Sequence, residues 1–312
     1  MGVSRLQELC KRYNIRFKKQ LGQNLLLDEN INRIMVDAAD LSKEDHVVEV
    51  GAGLGALTEQ LQRRAGHVLA VEIDPTFMPC LIEQFGELSH VKLFRGDILN
   101  HDLDRLLEEY LPGASSYKMV SNLPYYITTP VLFHFWESPV FFQLIVVMLQ
   151  QEVAERMTAL PDSASYGVLS VATSLYAHAD IVHRVPRTCF RPQPEVDSCI
   201  VRLRNLPGGR YNDLPPQFVM KVVRAAFSHR RKTLRNTLTR SGIFGAPRLV
   251  VEEAAEAAQI DLGRRPQTLH VDEFARLAQE IWQRVSRHTS VSEQANPFEE
   301  SHPAALTKGN AG

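Results

Sequence analysis

Hydrophobic and polar positions along residues 45–205 follow two alternating periods. Short apolar runs of the length of buried strands are followed by stretches in which apolar residues recur every three or four positions, as on one face of a helix. This alternation predicts an α/β fold with a mainly parallel sheet covered by helices on both faces. Two late strands are expected to flank a proline-rich turn at 190–194, after a helical stretch around 169–176. The earlier strands are expected at 46–53, 67–74, 91–99, 117–125 and 141–150, the last being the most apolar and therefore central.

The domain organisation follows from a change in composition. Residues 205–216 have the proline and glycine content of a linker, and only helical periodicity follows them. The sequence therefore predicts an α/β domain over 1–206 and a smaller all-helical C-terminal domain over 207–285. Residues 286–312 are polar and lack periodicity, so we expect a disordered tail with no core to bury.

Composition and charge argue against several classes of protein. The 312 residues are 44% hydrophobic and 23% charged, with a formal net charge of −1, which is ordinary for a soluble globular protein. No apolar run reaches the length of a membrane span, and the basic N-terminus lacks the apolar segment of a signal peptide. The four cysteines lack metal-ligand spacing. We therefore expect free thiols, no metal, no membrane association and a cytoplasmic location.

A glycine-rich turn follows the first expected strand. Gly51, Gly53 and Gly55 stand where the strand gives way to a helix, and glycine there lets the backbone approach a ligand closely. Glu72, which ends the second strand 21 residues after Gly51, is placed to accept hydrogen bonds from ribose hydroxyls. NAD and S-adenosylmethionine fit this pattern equally well, and a tight turn without a ligand is the remaining alternative.

Asp97 ends the third expected strand. It adds a polar group at the carboxyl edge of the sheet, where open α/β sheets bind ligands. There it is able to accept a hydrogen bond from the adenine amine of a cofactor. Its alternative roles are to cap the helix that begins near Asp102 or to be a solvated turn residue.

The motif Asn122-Leu123-Pro124-Tyr125 ends the fourth expected strand. An adenine amine is a weak nucleophile, and it attacks a methyl group best when acceptors hold both N–H bonds. The Asn122 side-chain oxygen and a backbone carbonyl at Leu123 or Pro124 supply this geometry, and Tyr125 offers a face on which an extruded base stacks. The alternative is a structural proline turn. The glycine turn and the two strand-end carboxylates favour methyl transfer to adenine.

These motifs resemble those of the ribosomal RNA adenine dimethyltransferases over about residues 15–285. The matching segments are KKQLGQNLL (18–26), EVGAGLGALT (49–58), VEID (71–74), GDIL (96–99), NLPYYITTP (122–130), QQEVAERM (150–157), FRPQPEVDS (190–198) and AFSHRRKTLRNTL (226–238). The resemblance implies a Rossmann-like class I methyltransferase sheet with S-adenosylmethionine as cofactor. It further implies dimethylation of two adjacent adenosines near the 3′ end of 16S rRNA, in the small ribosomal subunit or its precursor, during ribosome biogenesis.

The resemblance also implies roles for individual residues. Phe190 resembles the second aromatic of the target pocket, opposite Tyr125, with core packing as its alternative. Tyr126 departs from the family, in which Asn is often found, so the contacts of this loop differ. The catalytic residues implied are Asn122, Pro124, Tyr125 and Phe190. The cofactor-binding residues implied are Asn24, Leu26, Gly51, Gly53, Glu72, Asp97 and Asn122.

Basic residues are concentrated in the helical part of the chain. Between Gln217 and Ser241 there are seven Lys or Arg and no acidic residue, although the whole chain is nearly neutral. Clustered cations attract phosphates, whereas a solvated helix face is the alternative. The match of RRKTLRN to the family favours RNA, and the basic stretch Lys11–Lys19 is a second candidate contact. The RNA-binding residues expected are Arg230, Arg231, Lys232 and Arg235.

Three other functions compete with this interpretation. A large-subunit rRNA adenine methyltransferase shares the motifs, but RRKTLRN and the long helical part favour the small-subunit enzyme. A NAD dehydrogenase accounts for the glycines but not for the Asn122–Tyr125 motif. The third possibility is a non-catalytic protein, either an RNA-binding assembly factor or a relative that acts as a mitochondrial transcription factor. Such a protein would not need the Asn122–Tyr125 motif to be intact. We expect a monomeric enzyme.

Overall fold

The computed structural model describes residues 3–15, 24–211, 214–229, 231–239, 244 and 247–294, and these form nine strands. The strands are β1 (Leu25–Leu26), β2 (His46–Val50), β3 (His67–Glu72), β4 (Val91–Arg95), β5 (Tyr117–Asn122), β6 (Phe142–Gln150), β7 (Ala177–Val185), β8 (Phe190–Arg191) and β9 (Ser198–Asn205). Seven of them build one sheet in the order β4–β3–β2–β5–β6–β9–β7. The first five strands in this order are parallel, and β9 is antiparallel to both β6 and β7. The expected mainly parallel sheet is confirmed, with the most apolar strand, β6, inside it.

Helices cover both faces of the sheet. They are α1 (Val3–Arg12), α2 (Glu29–Ala38), α3 (Ala56–Arg64), α4 (Met78–Phe85), α5 (Leu103–Tyr110), α6 (Thr128–Trp136), α7 (Gln151–Met157), α8 (Val168–Tyr176), α9 (Pro216–Ala226), α10 (Leu234–Leu238), α11 (Arg248–Ala257) and α12 (Val271–Gln294). Because successive residues of a strand point to opposite faces, Val47 packs in the core formed with α1–α4. Val48 packs in the second core, which includes residues of α5–α12.

The helical part of the chain packs against the α/β part. Val219 of α9 and Phe274 of α12 belong to the same hydrophobic cluster as Val48 of the sheet. Polar contacts cross the same junction: the Tyr166 hydroxyl donates to the Leu269 carbonyl at 2.7 Å, and Arg224 forms a 2.8 Å ion pair with Glu137. One continuous core joins the residues on the two sides of position 206/207. The division into two domains at this position therefore stays a prediction.

The start of the expected tail needs correction. Residues 286–294 are helical and extend α12 to Gln294. They contain no Gly or Pro, and elongating a helix that is already packed avoids the cost of nucleation. Residues 295–312 lie outside the described residues. No helix within the described ranges is both long and apolar enough to cross a membrane.

A separate two-stranded ladder joins the N-terminal segment to the proline-rich turn. Leu25 and Leu26 of β1 pair with Arg191 and Phe190 of β8, and the Leu27 N–H donates to the Cys189 carbonyl at 2.8 Å. The ladder thereby brings the end of the KKQLGQNLL segment to the residues around Phe190. Residues 16–23, which include the basic residues Arg16, Lys18 and Lys19, lie outside the described residues.

Candidate active site

A cavity opens at the carboxyl ends of β2, β3 and β5, where parallel strands leave polar groups free for a ligand. Its wall includes all ten residues that the sequence assigned to cofactor binding or catalysis: Asn24, Leu26, Gly51, Gly53, Glu72, Asp97, Asn122, Pro124, Tyr125 and Phe190. Their common location supports the sequence assignment, although contact with a ligand stays a prediction for each residue.

The glycines of the turn after β2 serve two different purposes. At Gly53, where φ is +55°, a side chain would meet no atom within 4 Å, so the backbone faces open space on the cavity wall. At Gly55, where φ is +80°, a Cβ would lie 2.4 Å from the Phe85 ring. Gly53 therefore leaves room for a ligand, whereas Gly55 lets α3 pack against α4.

Glu72 ends β3 and is only 4% exposed. One carboxylate oxygen accepts a hydrogen bond from the Gly53 N–H at 2.7 Å, and the other accepts from the Asp74 N–H at 2.8 Å. Burial raises the pKa of Glu72, while these backbone hydrogen bonds oppose the shift. Since each carboxylate oxygen accepts more than one hydrogen bond, the oriented side chain retains acceptor capacity for ribose hydroxyls.

Glu49 is a second buried carboxyl on the cavity wall, and sequence reasoning missed it. It lies in β2 with 1% exposure. The Thr58 hydroxyl donates to it at 2.5 Å, and the Thr58 backbone N–H donates as well. Burial, with a smaller contribution from Glu72, raises the pKa of Glu49 to about 8. An acidic residue inside an otherwise apolar strand, two positions before Gly51, was the signal available in the sequence.

These carboxyls decide between the two cofactors that the glycine turn left open. Thr58 lies in the first turn of α3 and donates to Glu49, so the Glu49 carboxyl occupies the N-terminus of this helix. In a dinucleotide enzyme that position holds the diphosphate. Among the described residues, the interactions of Glu49 and Glu72 include no basic side chain. The site therefore disfavours the diphosphate of NAD and favours a ligand with positive charge, such as the sulfonium and ammonium of S-adenosylmethionine.

Asp97 has a local structural role as well as a place on the cavity wall. It accepts a hydrogen bond from the Leu99 N–H at 3.1 Å and so caps a short 3₁₀ turn at Ile98–Asn100. The Asn100 amide donates to its other oxygen at 3.3 Å. Asp97 therefore has the capping role that was its alternative, but it caps this turn and not the helix that begins near Asp102. The contact of Asp97 with the adenine of a cofactor stays a prediction.

The Asn122–Tyr125 motif leaves β5 and enters a short 3₁₀ turn at Tyr125–Ile127. The Pro124 carbonyl accepts from the Ile127 N–H at 3.1 Å and from the Thr128 hydroxyl at 3.4 Å. The sequence analysis did not decide whether the backbone carbonyl of Leu123 or that of Pro124 is the second acceptor for an adenine amine. Because the Pro124 oxygen is engaged within the turn, Leu123 is the better candidate.

The two aromatic residues expected to hold a base have different surroundings. Tyr125 is half-buried, and its hydroxyl lies 2.8 Å from the Ser198 hydroxyl. Phe190 is only 1% exposed and packs in the core beside Leu26. Phe190 therefore packs in the core, which was its alternative role, while it also lines the cavity.

The basic residues that were expected to bind RNA are exposed where the structure describes them. Arg231 and Lys232 are exposed between α9 and α10. Arg235 forms a 2.8 Å ion pair with Glu252, which offsets part of its charge. Arg230 lies outside the described residues. The described part of the expected RNA surface is thus a short basic turn.

Known proteins similar to this chain share most of its length. The model of the family described as ribosomal RNA adenine dimethylase matches residues 14–282. The ribosomal RNA small subunit methyltransferase A of Pelotomaculum thermopropionicum is 45% identical over 278 residues, which is 88% of this chain and 94% of that protein.

Two solved structures are also similar. A dimethyladenosine transferase from Plasmodium falciparum is 24% identical with a TM-score of 0.70, over 83% of this chain and 98% of that chain. The 23S rRNA methyltransferase ErmE is 26% identical with a TM-score of 0.59, over 83% of this chain and 100% of that chain. The family match extends over far more than half of the residues and includes every segment that lines the cavity. The chain therefore belongs to the ribosomal RNA adenine dimethylase family.

Proposed function

We propose that this protein uses S-adenosylmethionine to dimethylate the exocyclic amines of two adjacent adenosines near the 3′ end of small-subunit rRNA. The observation that carries the proposal is one cavity that combines buried carboxyls suited to a cationic cofactor with the Asn122–Tyr125 motif. The 45% identical small-subunit methyltransferase supports the substrate. The action on the small subunit, a monomeric state and a cytoplasmic location are parts of this proposal.

The cofactor-binding residues hold separate parts of S-adenosylmethionine. Glu72 accepts hydrogen bonds from the ribose hydroxyls, Asp97 contacts the adenine, and Gly51 and Gly53 let the backbone approach the ligand. Glu49 faces its positive charge. Asn24 and Leu26 close over the ligand from the β1 side, because the β1–β8 ladder holds this segment on the cavity wall.

Catalysis depends on how the target amine is held. When bound, the cofactor supplies a methyl group on a positively charged sulfur. The Asn122 side-chain oxygen and the Leu123 carbonyl accept the two N–H bonds of the adenine, which aims the nitrogen lone pair at that methyl group. Tyr125 stacks on the base, and water takes the proton from the methylated nitrogen. The amine retains one N–H after the first transfer, so one of the two acceptors holds it for the second transfer.

The affinity for S-adenosylmethionine should rise with pH up to about pH 8, the pKa of the Glu49 carboxyl in the free protein. Without ligand, Glu49 keeps its proton up to its pKa of about 8. The positive charge of the cofactor favours the carboxylate and lowers this pKa, so binding releases a proton and tightens as pH increases. Calorimetry in buffers of different ionisation enthalpy measures the proton release. Glu49→Gln should remove this dependence of affinity on pH. If the affinity of the variant rises with pH as steeply as that of the parent, another group is responsible for the dependence.

The basic turn should contribute to RNA binding and not to cofactor binding. Replacing Arg231 and Lys232 with Ala should weaken the affinity for small subunits. The slope of log affinity against log salt should become shallower by about 0.7–0.9 for each phosphate that the protein no longer neutralises. As a matched control, Arg63 and Arg64 are each 59% exposed at the end of α3 that points away from the cavity. If the double variant of Arg231 and Lys232 has the same salt slope as the double variant of Arg63 and Arg64, the basic turn is only a solvated surface and does not bind RNA.

A large-subunit substrate is the second candidate, and the likeness to ErmE is what favours it. Labelled methyl transfer to unmodified small subunits, compared with unmodified large subunits, separates the two. We expect incorporation into small subunits only. Incorporation into large subunits alone would favour the second candidate, and no incorporation into either would favour a non-catalytic assembly factor.

A further inference from the structure

The hydroxyl of Tyr125 has a partner that sequence reasoning did not anticipate. The motif assigned a function only to the Tyr125 ring, as a face for a base. In the structure its hydroxyl lies 2.8 Å from the hydroxyl of Ser198, which is 73 residues away in the chain. Ser198 is fully buried, at 0% exposure. The hydrogen bond thus links the turn after β5 to a residue that had no assigned role.

Ser198 is a fixed point in the fold. It is the first residue of β9 and pairs with Gln150 at the end of β6 and with Val185 at the end of β7. Its backbone is therefore held between two strands. Tyr125, in contrast, lies outside the sheet in a three-residue 3₁₀ turn, whose hydrogen-bond geometry is poorer than that of an α-helix.

The segment that ends at Ser198 also carries Phe190. Its two ends are tied together, because the Arg187 N–H donates to the Asp197 carboxylate at 3.0 Å and the Arg187 guanidinium donates to the Glu195 carbonyl at 2.8 Å. The Asp197 carbonyl in turn accepts from the Gln151 N–H at the start of α7. One closed loop therefore positions both aromatic residues that were expected to hold a base, Phe190 through the backbone and Tyr125 through Ser198.

We propose that Ser198 is a positioning residue that holds the Tyr125 ring in the orientation in which an extruded adenine stacks on it. This inference rests on the proposed role of Tyr125 as the stacking face. Burial raises the pKa of the Tyr125 phenol, so the hydroxyl stays protonated at neutral pH and is able to share this hydrogen bond. The hydroxyl, and not only the ring, then matters for substrate binding.

The test is a double-mutant cycle on Tyr125→Phe and Ser198→Ala. Each single variant should raise the concentration of small subunits needed for half-maximal single-turnover methylation by about five- to tenfold, the scale of one net hydrogen bond. The double variant should be no worse than either single variant, because both remove the same contact. The affinity for S-adenosylmethionine, measured by calorimetry, should stay at the parental value in all three.

Ser170→Ala is the matched control for loss of a buried serine hydrogen bond. Ser170 is also fully buried and donates to the Arg156 carbonyl at 2.6 Å, within α7 and α8 and away from the cavity wall. It should lower thermal stability without changing the requirement for small subunits. If Ser170→Ala raises the required concentration of small subunits as much as Ser198→Ala does, the proposal is overturned, because the effect of Ser198→Ala would then reflect general destabilisation.

Two further outcomes separate this inference from the function on which it rests. If Tyr125→Ala is impaired while Tyr125→Phe and Ser198→Ala match the parent, the stacking face stands and the positioning role of Ser198 is wrong. If Tyr125→Ala also matches the parent, the stacking role itself fails and Ser198 has nothing to position. Should Ser198→Ala not fold, Tyr125→Phe alone decides, because it deletes the same hydrogen bond and keeps the ring.

Discussion

Asn122→Ala is expected to lower the single-turnover rate of methyl transfer by about 10²–10³, the typical effect of removing one preorganised hydrogen-bonding group from a reacting centre. The Asn122 side chain ends β5 on the cavity wall. An acceptor that fixes the amine acts most strongly as the nitrogen becomes pyramidal on the way to the transition state. The family resemblance also places Asn122 beside the cofactor, but its main contact is with the amine, so the affinity for S-adenosylmethionine should change much less than the rate.

The measurement is methyl incorporation into unmodified small subunits with enzyme in excess, together with calorimetry of cofactor binding. Asn122→Asp is the informative companion variant, because it keeps an acceptor oxygen at the same position and should retain more activity than Asn122→Ala. Parental methylation by a folded Asn122→Ala variant would make the motif a structural turn and the proposed mechanism wrong.

Glu72→Ala is expected to weaken binding of S-adenosylmethionine by roughly 1.5–3 kcal/mol, the range for hydrogen bonds to a charged group. The carboxylate is buried and is oriented by the N–H groups of Gly53 and Asp74. It is therefore preorganised for the ribose hydroxyls, and Ala removes both acceptor oxygens at once.

Calorimetric titration with S-adenosylmethionine tests this prediction. Because Ala also leaves two backbone N–H groups without their acceptor, thermal unfolding has to be measured in parallel. Glu72→Gln keeps one acceptor oxygen and a similar shape, and it should bind more tightly than Glu72→Ala. Parental affinity in a folded Glu72→Ala variant would remove Glu72 from the cofactor site.

Much of the fold was predictable because its signals are local. Apolar runs separated by helical periodicity defined the strands from β2 to β6, and the positions of Gly51 and Glu72 relative to them located the cavity at the carboxyl edge of the sheet. Those residues are close in space because neighbouring parallel strands end at the same edge. The family resemblance added Asn24, Leu26 and Phe190.

The features that the sequence did not reveal depend on burial or on distant contacts. The Glu49 carboxyl lies in a largely apolar strand, and its burial, at 1% exposure, is what raises its pKa. The pairing of Tyr125 with Ser198 spans 73 residues, so neither residue indicates the other in the sequence. The extension of α12 to Gln294 depends on elongation from a packed helix, which polar composition alone does not predict.

Dimethylation itself is measured by mass spectrometry of small-subunit rRNA after incubation of unmodified small subunits with the protein and S-adenosylmethionine. We expect two adjacent N6,N6-dimethyladenosines near the 3′ end of this RNA. Asn122→Ala should produce neither within the time in which the parent completes both. If a folded, cofactor-binding protein leaves these adenosines unmodified, or methylates a different position, the proposed function is contradicted.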